Sequence, residues 1–149
     1  MANSKKKNAE FHKTRNWVIV CNGNDFDIDG AFENLKYVDW HQPMKECFAG
    51  DLVYIYVYGT YDAIRFITRI VKSDKPDATI DDGPYVRGAD GDAGTAPFME
   101  LAPVMQLDPI GLDAQSIWDH GYTGILRGPV HATEELERYI AFRAKTKTR

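Results

Sequence analysis

The sequence predicts an α+β fold on a small, mostly antiparallel β barrel with short flanking helices. Three observations lead there. Residues 52–58 and 63–72 are long strand-like runs separated only by the turn at 59–62, which is the pattern of a hairpin. The other apolar runs are short and irregularly spaced. No strand–helix–strand alternation is present, so a parallel doubly wound sheet is not expected. The 149 residues suit one domain, and 44% hydrophobic with 27% charged residues is ordinary globular composition.

The elements follow in order. Residues 16–22 (NWVIVCN) are apolar and β-branched, a buried strand. Gly23, Asn24 and Asp25 supply a turn. Residues 28–34 read as a short helix with Asp27 or Asp29 at its start, because a carboxylate satisfies free amides there. Residues 37–40 form a brief strand, and Pro43 blocks a regular element over 41–48. In 52–58, Val53, Ile55 and Val57 share one face and Tyr54, Tyr56 and Tyr58 the other. In 63–72, Ile64, Phe66, Thr68 and Ile70 share a face.

Residues 73–97 hold six aspartates, four glycines and three prolines, and read as a long, acidic, mobile loop. Residues 98–107 form a strand that Pro103 forces to an edge or into a bulge. One or two helical turns over 112–120 end at Gly121, and 122–126 are extended. After the turn at 127–130, Thr133 caps a C-terminal helix whose first turn is acidic and whose apolar stripe is Leu136, Tyr139 and Ile140. The organisation is thus a flexible basic tail over 1–15, one domain over 16–142 and a basic tail over 143–149.

Charge narrows the function. The net −4 divides into +4 over residues 1–16, +5 over 138–149 and −13 between them. An acidic body is not the surface of a strong duplex-DNA binder, although basic ends add a salt-sensitive attraction to phosphate. No apolar run approaches the roughly 18 residues of a membrane span, and the polar N-terminal stretch is unlike a secretory signal. Two cysteines, Cys21 and Cys47, make no disulfide framework, so a reducing, cytoplasmic setting is expected.

Several chemistries lack their residues. Asp25-Phe26-Asp27-Ile28-Asp29-Gly30 opens like a calcium loop, but position twelve is Lys36 where a bidentate acid is needed. His12, His41, His120 and His131 have no ligand spacing for zinc. The glycine-rich 88–94 carries aspartates that repel phosphate, and no P-loop or G-x-S-x-G motif occurs. No metal, cofactor or catalytic set is expected.

The aromatic residues point elsewhere. Tyr54, Tyr56 and Tyr58 stripe one strand face, and Trp17 and Trp40 lie near strand ends. Such rings hold an extruded base by stacking, and an amide such as Asn22 reads polar base edges. The alternative is that the rings fill core.

Five segments in order resemble the EVE domain family of the PUA-like superfamily, which also contains YTH and ASCH domains. They are Asn16 to Asn22, Phe26-Asp27-Ile28-Asp29, Val38-Asp39-Trp40, Ala49-Gly50-Asp51-Leu52-Val53-Tyr54-Ile55-Tyr56, and Ile125-Leu126-Arg127-Gly128-Pro129-Val130 with its acid-led helix. Gly128-Pro129 stands where the family has Gln, and His41-Gln42-Pro43 where many members have G-V-R-N. The resemblance covers about 16–142 and implies a PUA-like pseudo-barrel that reads a modified base in DNA or RNA. Carried over by position, it implies a nucleobase site of Asn22, Trp40 as cage aromatic, Tyr56, Tyr58 and Arg127, with Trp17 in the core.

The expected function is therefore non-catalytic recognition of a modified base in nucleic acid, with a protein partner as a further possibility and no membrane. Two alternatives stand beside it. One is a small ASCH-like amidohydrolase acting on a modified nucleoside, which would draw on residues such as Thr68, Lys72 and Glu100. The other is a protein–protein interaction domain using the acidic loop and the last helix.

Overall fold

The hairpin of the two longest strands sits at the heart of the sheet. In the computed structural model, which describes residues 13–87, 95–121 and 126–147, six strands run in the order β2-β5-β4-β3-β1-β6. They are β1 (Lys13–Asn22), β2 (Val38–His41), β3 (Leu52–Tyr58), β4 (Ala63–Lys75), β5 (Phe98–Gln106) and β6 (Val130–Thr133). The helices are α1 (Ile28–Asn34), α2 (Ala114–Trp118) and α3 (Glu134–Lys147), with a 3₁₀ turn at Gly83–Tyr85. Every pairing is antiparallel except β1 with β3. The sheet is open rather than a closed barrel, with β2 and β6 as its edges. Among the described residues no helix is long and apolar enough to cross a membrane.

Strand alternation divides the core into two layers. Val53, Ile55 and Val57 join Ile19, Cys21, Phe66, Met99 and Leu101 on one face, covered by Ile28 and Ala31 of α1. Val18, Tyr54 and Ile64 form the other face, under Ile117 of α2 and Leu136 and Ile140 of α3; Ile64 and Phe66, expected on one face, are parted by the register shift in the β3–β4 pairing. Each fully buried Val or Ile contributes roughly 1.5–3 kcal/mol, and β1, β3 and β4 each place residues in both layers.

The short helices owe their position to capping. Asp27 Oδ1 accepts from the Gly30 amide at 3.1 Å, and Asp113 Oδ1 accepts from the Ser116 amide at 3.1 Å. Thr133 Oγ1 accepts from the Leu136 amide at 3.0 Å and donates to the His120 carbonyl at 2.6 Å. Asn16 fastens three elements. Its Oδ1 accepts from the Leu52 amide at 2.8 Å, and its Nδ2 donates to Glu137 at 2.7 Å.

Several expectations change. The parallel β1–β3 pair and the short strand β6 do not follow from local pattern. β1 begins at Lys13, inside the expected N-terminal tail, and α3 runs to Lys147, through most of the C-terminal one. Pro103 lies in an interior strand, but beyond the stretch of β5 that β2 covers and next to a register shift, so its missing N–H breaks no ladder. The expected loop over 73–97 is not a free loop where it is described. β4 continues to Lys75, the amides of Thr79 and Ile80 donate to Asp39, and Phe26 bridges Val86. The glycine-rich 88–94 and the extended 122–125 lie outside the described residues.

Candidate functional site

Parallel pairing aligns Val20 with Tyr56 and Asn22 with Tyr58. Alternation then turns Val20, Tyr56 and Tyr58 to the same sheet face, the one carrying α2. Leu112 and Ile117 are buried and pin the short helix to that face, which leaves Trp118 at its exposed end. Leu126 and Arg127 approach from the segment leading into β6. Together Val20, Tyr56, Tyr58, Ala114, Trp118, Leu126 and Arg127 line a cleft of about 500 Å³. Its walls are mainly apolar and aromatic, and Tyr58 and Trp118 are each 43% exposed, so the rings are reachable from solvent.

Three of the five residues expected to form the site, Tyr56, Tyr58 and Arg127, meet in this cleft. The other two do not line it. Asn22 spends both ends of its amide in the adjoining turn. Its Nδ2 donates to Asp25 Oδ2 at 2.9 Å and its Oδ1 accepts from the Asn24 amide at 3.0 Å. The turn is tight: a Cβ on Gly59, whose φ is +90°, would stand 2.6 Å from Asn24 Nδ2. Trp40 packs on the opposite face, edge-on to Phe26 at 5.7 Å and beside Phe32 at 6.4 Å. Trp17 is stacked on His131 at 3.9 Å.

Sequence reasoning missed Trp118. The signal was weak, since residues 112–120 read only as a helical turn. Asp113 as N-cap, two residues after Gly111 at φ +82°, fixes the phase of that turn and hence which way Trp118 faces.

The cleft also has an electrostatic gradient. Burial raises the proton affinity of the Tyr56 hydroxyl, and the charges of Asp62 and Asp113 raise it further. Arg127, which is exposed, supplies the opposite charge.

A second polar cluster lies far along the sheet. Lys75 Nζ donates to Asp39 Oδ1 at 2.6 Å, Thr79 Oγ1 at 3.0 Å and Glu100 Oε1 at 3.1 Å. Burial alone would lower the Lys75 pKa, but its hydrogen bonds to Asp39 and Glu100 outweigh that and raise it. The lysine is held as an ammonium. Thr68 is fully buried and donates to the Val53 carbonyl at 2.9 Å, while Lys72 is exposed. Thr68, Lys72 and Glu100 therefore do not share one open site.

Comparison with known proteins bears on the fold. No family model matches the chain, and no curated protein does. Solved structures do match. A protein from Leishmania major is 16% identical, with a TM-score of 0.60 over 95% of this chain and 99% of the other. One from Pseudomonas putida is also 16% identical, at 0.56 over 86% and 98%. A variant of the ASCH protein ZmASCH from Zymomonas mobilis is 10% identical, at 0.57 over 88% and 97%. The chain shares the fold of these structures, the ASCH protein among them. At these identities the likeness concerns the path of the chain and not its chemistry. In this sheet the aromatic cleft sits where β1, β3 and α2 meet.

Proposed function

We propose that this chain is a non-catalytic module that binds a modified nucleobase of DNA or RNA in the Tyr56–Tyr58–Trp118 cleft. One observation carries the reading: three aromatic side chains and one arginine line a single solvent-open cleft of about 500 Å³. Stacking on such rings is worth about 1–3 kcal/mol per base. A base in an unpaired strand needs no flipping energy, and one in a duplex needs a few kcal/mol. Arg127 is suited to the phosphate, and the PUA-like fold and the EVE-like segments point the same way. The residues named for the amidohydrolase reading, Thr68, Lys72 and Glu100, do not share one open site among the described residues. The family resemblance offered Trp40 as the cage ring; in this reading Trp118 takes that part.

The test is tryptophan fluorescence, at low salt, with short single strands carrying a panel of modified bases. The expected result is a saturable change for a subset of strands, lost in Trp118→Ala and kept in Trp40→Phe. Absence of any response from folded protein would overturn the proposal.

A further inference from the structure

We infer that the base taken by this cleft is cationic: an N-methylated nucleobase that is positively charged at neutral pH, such as 1-methyladenine, in preference to a neutral methylated isomer. This rests on the base-binding reading above and specifies its ligand class.

The first support is the lining. The faces of Tyr56, Tyr58 and Trp118 carry the negative side of the ring quadrupole, which attracts a cation placed over them. A flat cationic base gains from stacking and from this attraction together. A neutral base gains from stacking alone.

The second support is the pair of carboxylates at the Tyr56 end. Ala63 and Asp113 form an isolated antiparallel bridge, and Tyr56 is paired with Ile64. Asp62 precedes Ala63 in the chain, and Asp113 precedes the cleft residue Ala114. The fold thereby draws two separate carboxylates to the same end of the cleft. Both are held in place. Asp62 Oδ1 accepts from the Gly59 amide at 3.0 Å, and Asp113 Oδ1 accepts from the Ser116 amide at 3.1 Å and hydroxyl at 2.9 Å. Among the described residues neither forms an ion pair. The charges of both also raise the proton affinity of the Tyr56 hydroxyl, after burial.

Arg127 does not contradict a cationic ligand. It is an exposed member of the lining, suited to the phosphate of the same nucleotide. A cationic base on an anionic backbone matches both charges.

The test uses two isomers with the same atoms. Binding of 1-methyladenosine 5′-monophosphate and N6-methyladenosine 5′-monophosphate is measured by calorimetry with the full chain. The first carries a positive base at neutral pH and the second does not. The expected preference for the cationic isomer is about tenfold, and it falls toward equality as the pH rises past the point where 1-methyladenine becomes neutral. Asp62→Asn and Asp113→Asn, singly and together, remove charge without disturbing the backbone. Asparagine suits the positive φ of 55° at position 62 and is a good N-cap at position 113. The double variant is expected to lose most of the preference while its affinity for the neutral isomer holds.

Equal affinity, the reverse preference, or a preference that survives in the double variant and at high pH would overturn the charge inference and leave base binding standing. Failure of both monophosphates and of all modified strands would overturn base binding itself. The same two bases placed in ribo- and deoxyribo-oligonucleotides then separate RNA from DNA.

Discussion

Lys75 Nζ, on β4, lies 2.6 Å from Asp39 Oδ1, on β2, although β5 runs between the two strands. Glu100, on β5, takes the same ammonium at 3.1 Å, so one side chain ties three adjacent strands. The Asp39 side chain is 1% exposed, and the other two are 12% exposed.

This cluster sets a pH window for stability. Burial alone would raise the Asp39 pKa, but hydrogen bonds from Lys75 and from the Ile80 and Thr79 amides lower it overall. Its stabilisation is therefore complete above the unfolded carboxylate value of about 4 and is lost as pH falls through the lowered folded value. Lys75 acts in the other direction. Its pKa is raised, so its contribution is complete below the unfolded value of about 10.4 and is lost as pH rises through the folded value. Asp39→Asn should cost about 3 kcal/mol near neutral pH by leaving a buried cation under-paired. It should also flatten the acid limb of a urea-denaturation series across pH. An unchanged acid limb would show that other groups set it.

The Tyr54 hydroxyl donates to Glu137 at 2.7 Å, on the oxygen that also accepts from Asn16. Burial first, then the hydrogen bond and charge of Glu137, raise the Tyr54 pKa above the usual tyrosine range, so the phenol is protonated at neutral pH. Tyr54→Phe should cost about 2 kcal/mol, because a hydrogen bond to a charged acceptor is lost. Glu137→Gln, which still accepts, should cost less. Thermal denaturation of the two variants checks the order.

Cys21 and Cys47 should be chemically silent in the native protein. Burial, then Asp25, pushes the Cys21 thiol up to about 12; burial, then Asp74 and Asp51, pushes Cys47 up to about 11. Almost no thiolate exists at neutral pH. A thiol-reactive dye should label neither cysteine in buffer and both in denaturant. Fast native labelling at one site would mean that its layer of the core opens readily.

Trp40 and Trp118 should behave oppositely. Trp40 packs against Phe26 and Phe32, so Trp40→Ala should cost about 3 kcal/mol. Trp118 is 43% exposed, so Trp118→Ala should shift stability by less than about 1 kcal/mol. Denaturation curves measured beside the binding titration separate the two. A large stability loss at Trp118 would make it a packing residue.

Local pattern carried much of the fold. The alternation in β3, the capping by Asp27 and Thr133, and the apolar stripe of α3 are short-range properties, visible within a few residues. The parallel β1–β3 pair joins segments with a helix and a strand between them, and β6 has only four residues, so neither leaves a local signature. The site divides in the same way. Tyr56 and Tyr58 are linked by strand period, whereas Trp118 reaches them only through tertiary packing. Trp40 is aromatic for the sake of the other layer. Nothing in its neighbourhood distinguishes a core tryptophan from a cage tryptophan. Lys72 faces Glu100 in the strand register, yet Lys75 holds the carboxylate, because shifts in the β4–β5 pairing carry Lys75 around to it.

The placement of β1 between β3 and β6 has a temporal consequence. During synthesis β1 can dock on β3 once that strand emerges, but its other edge stays bare until β6 is made. Thr14 waits for Ala132, whose carbonyl accepts its hydroxyl hydrogen bond at 3.0 Å across 118 residues. Loop closure of that length delays the reward for ordering both ends, so folding should be slow for a domain of this size and should finish only after β6 has emerged. A nascent chain stalled before β6 would display an open strand edge, and a truncation removing β6 and α3 would keep it permanently.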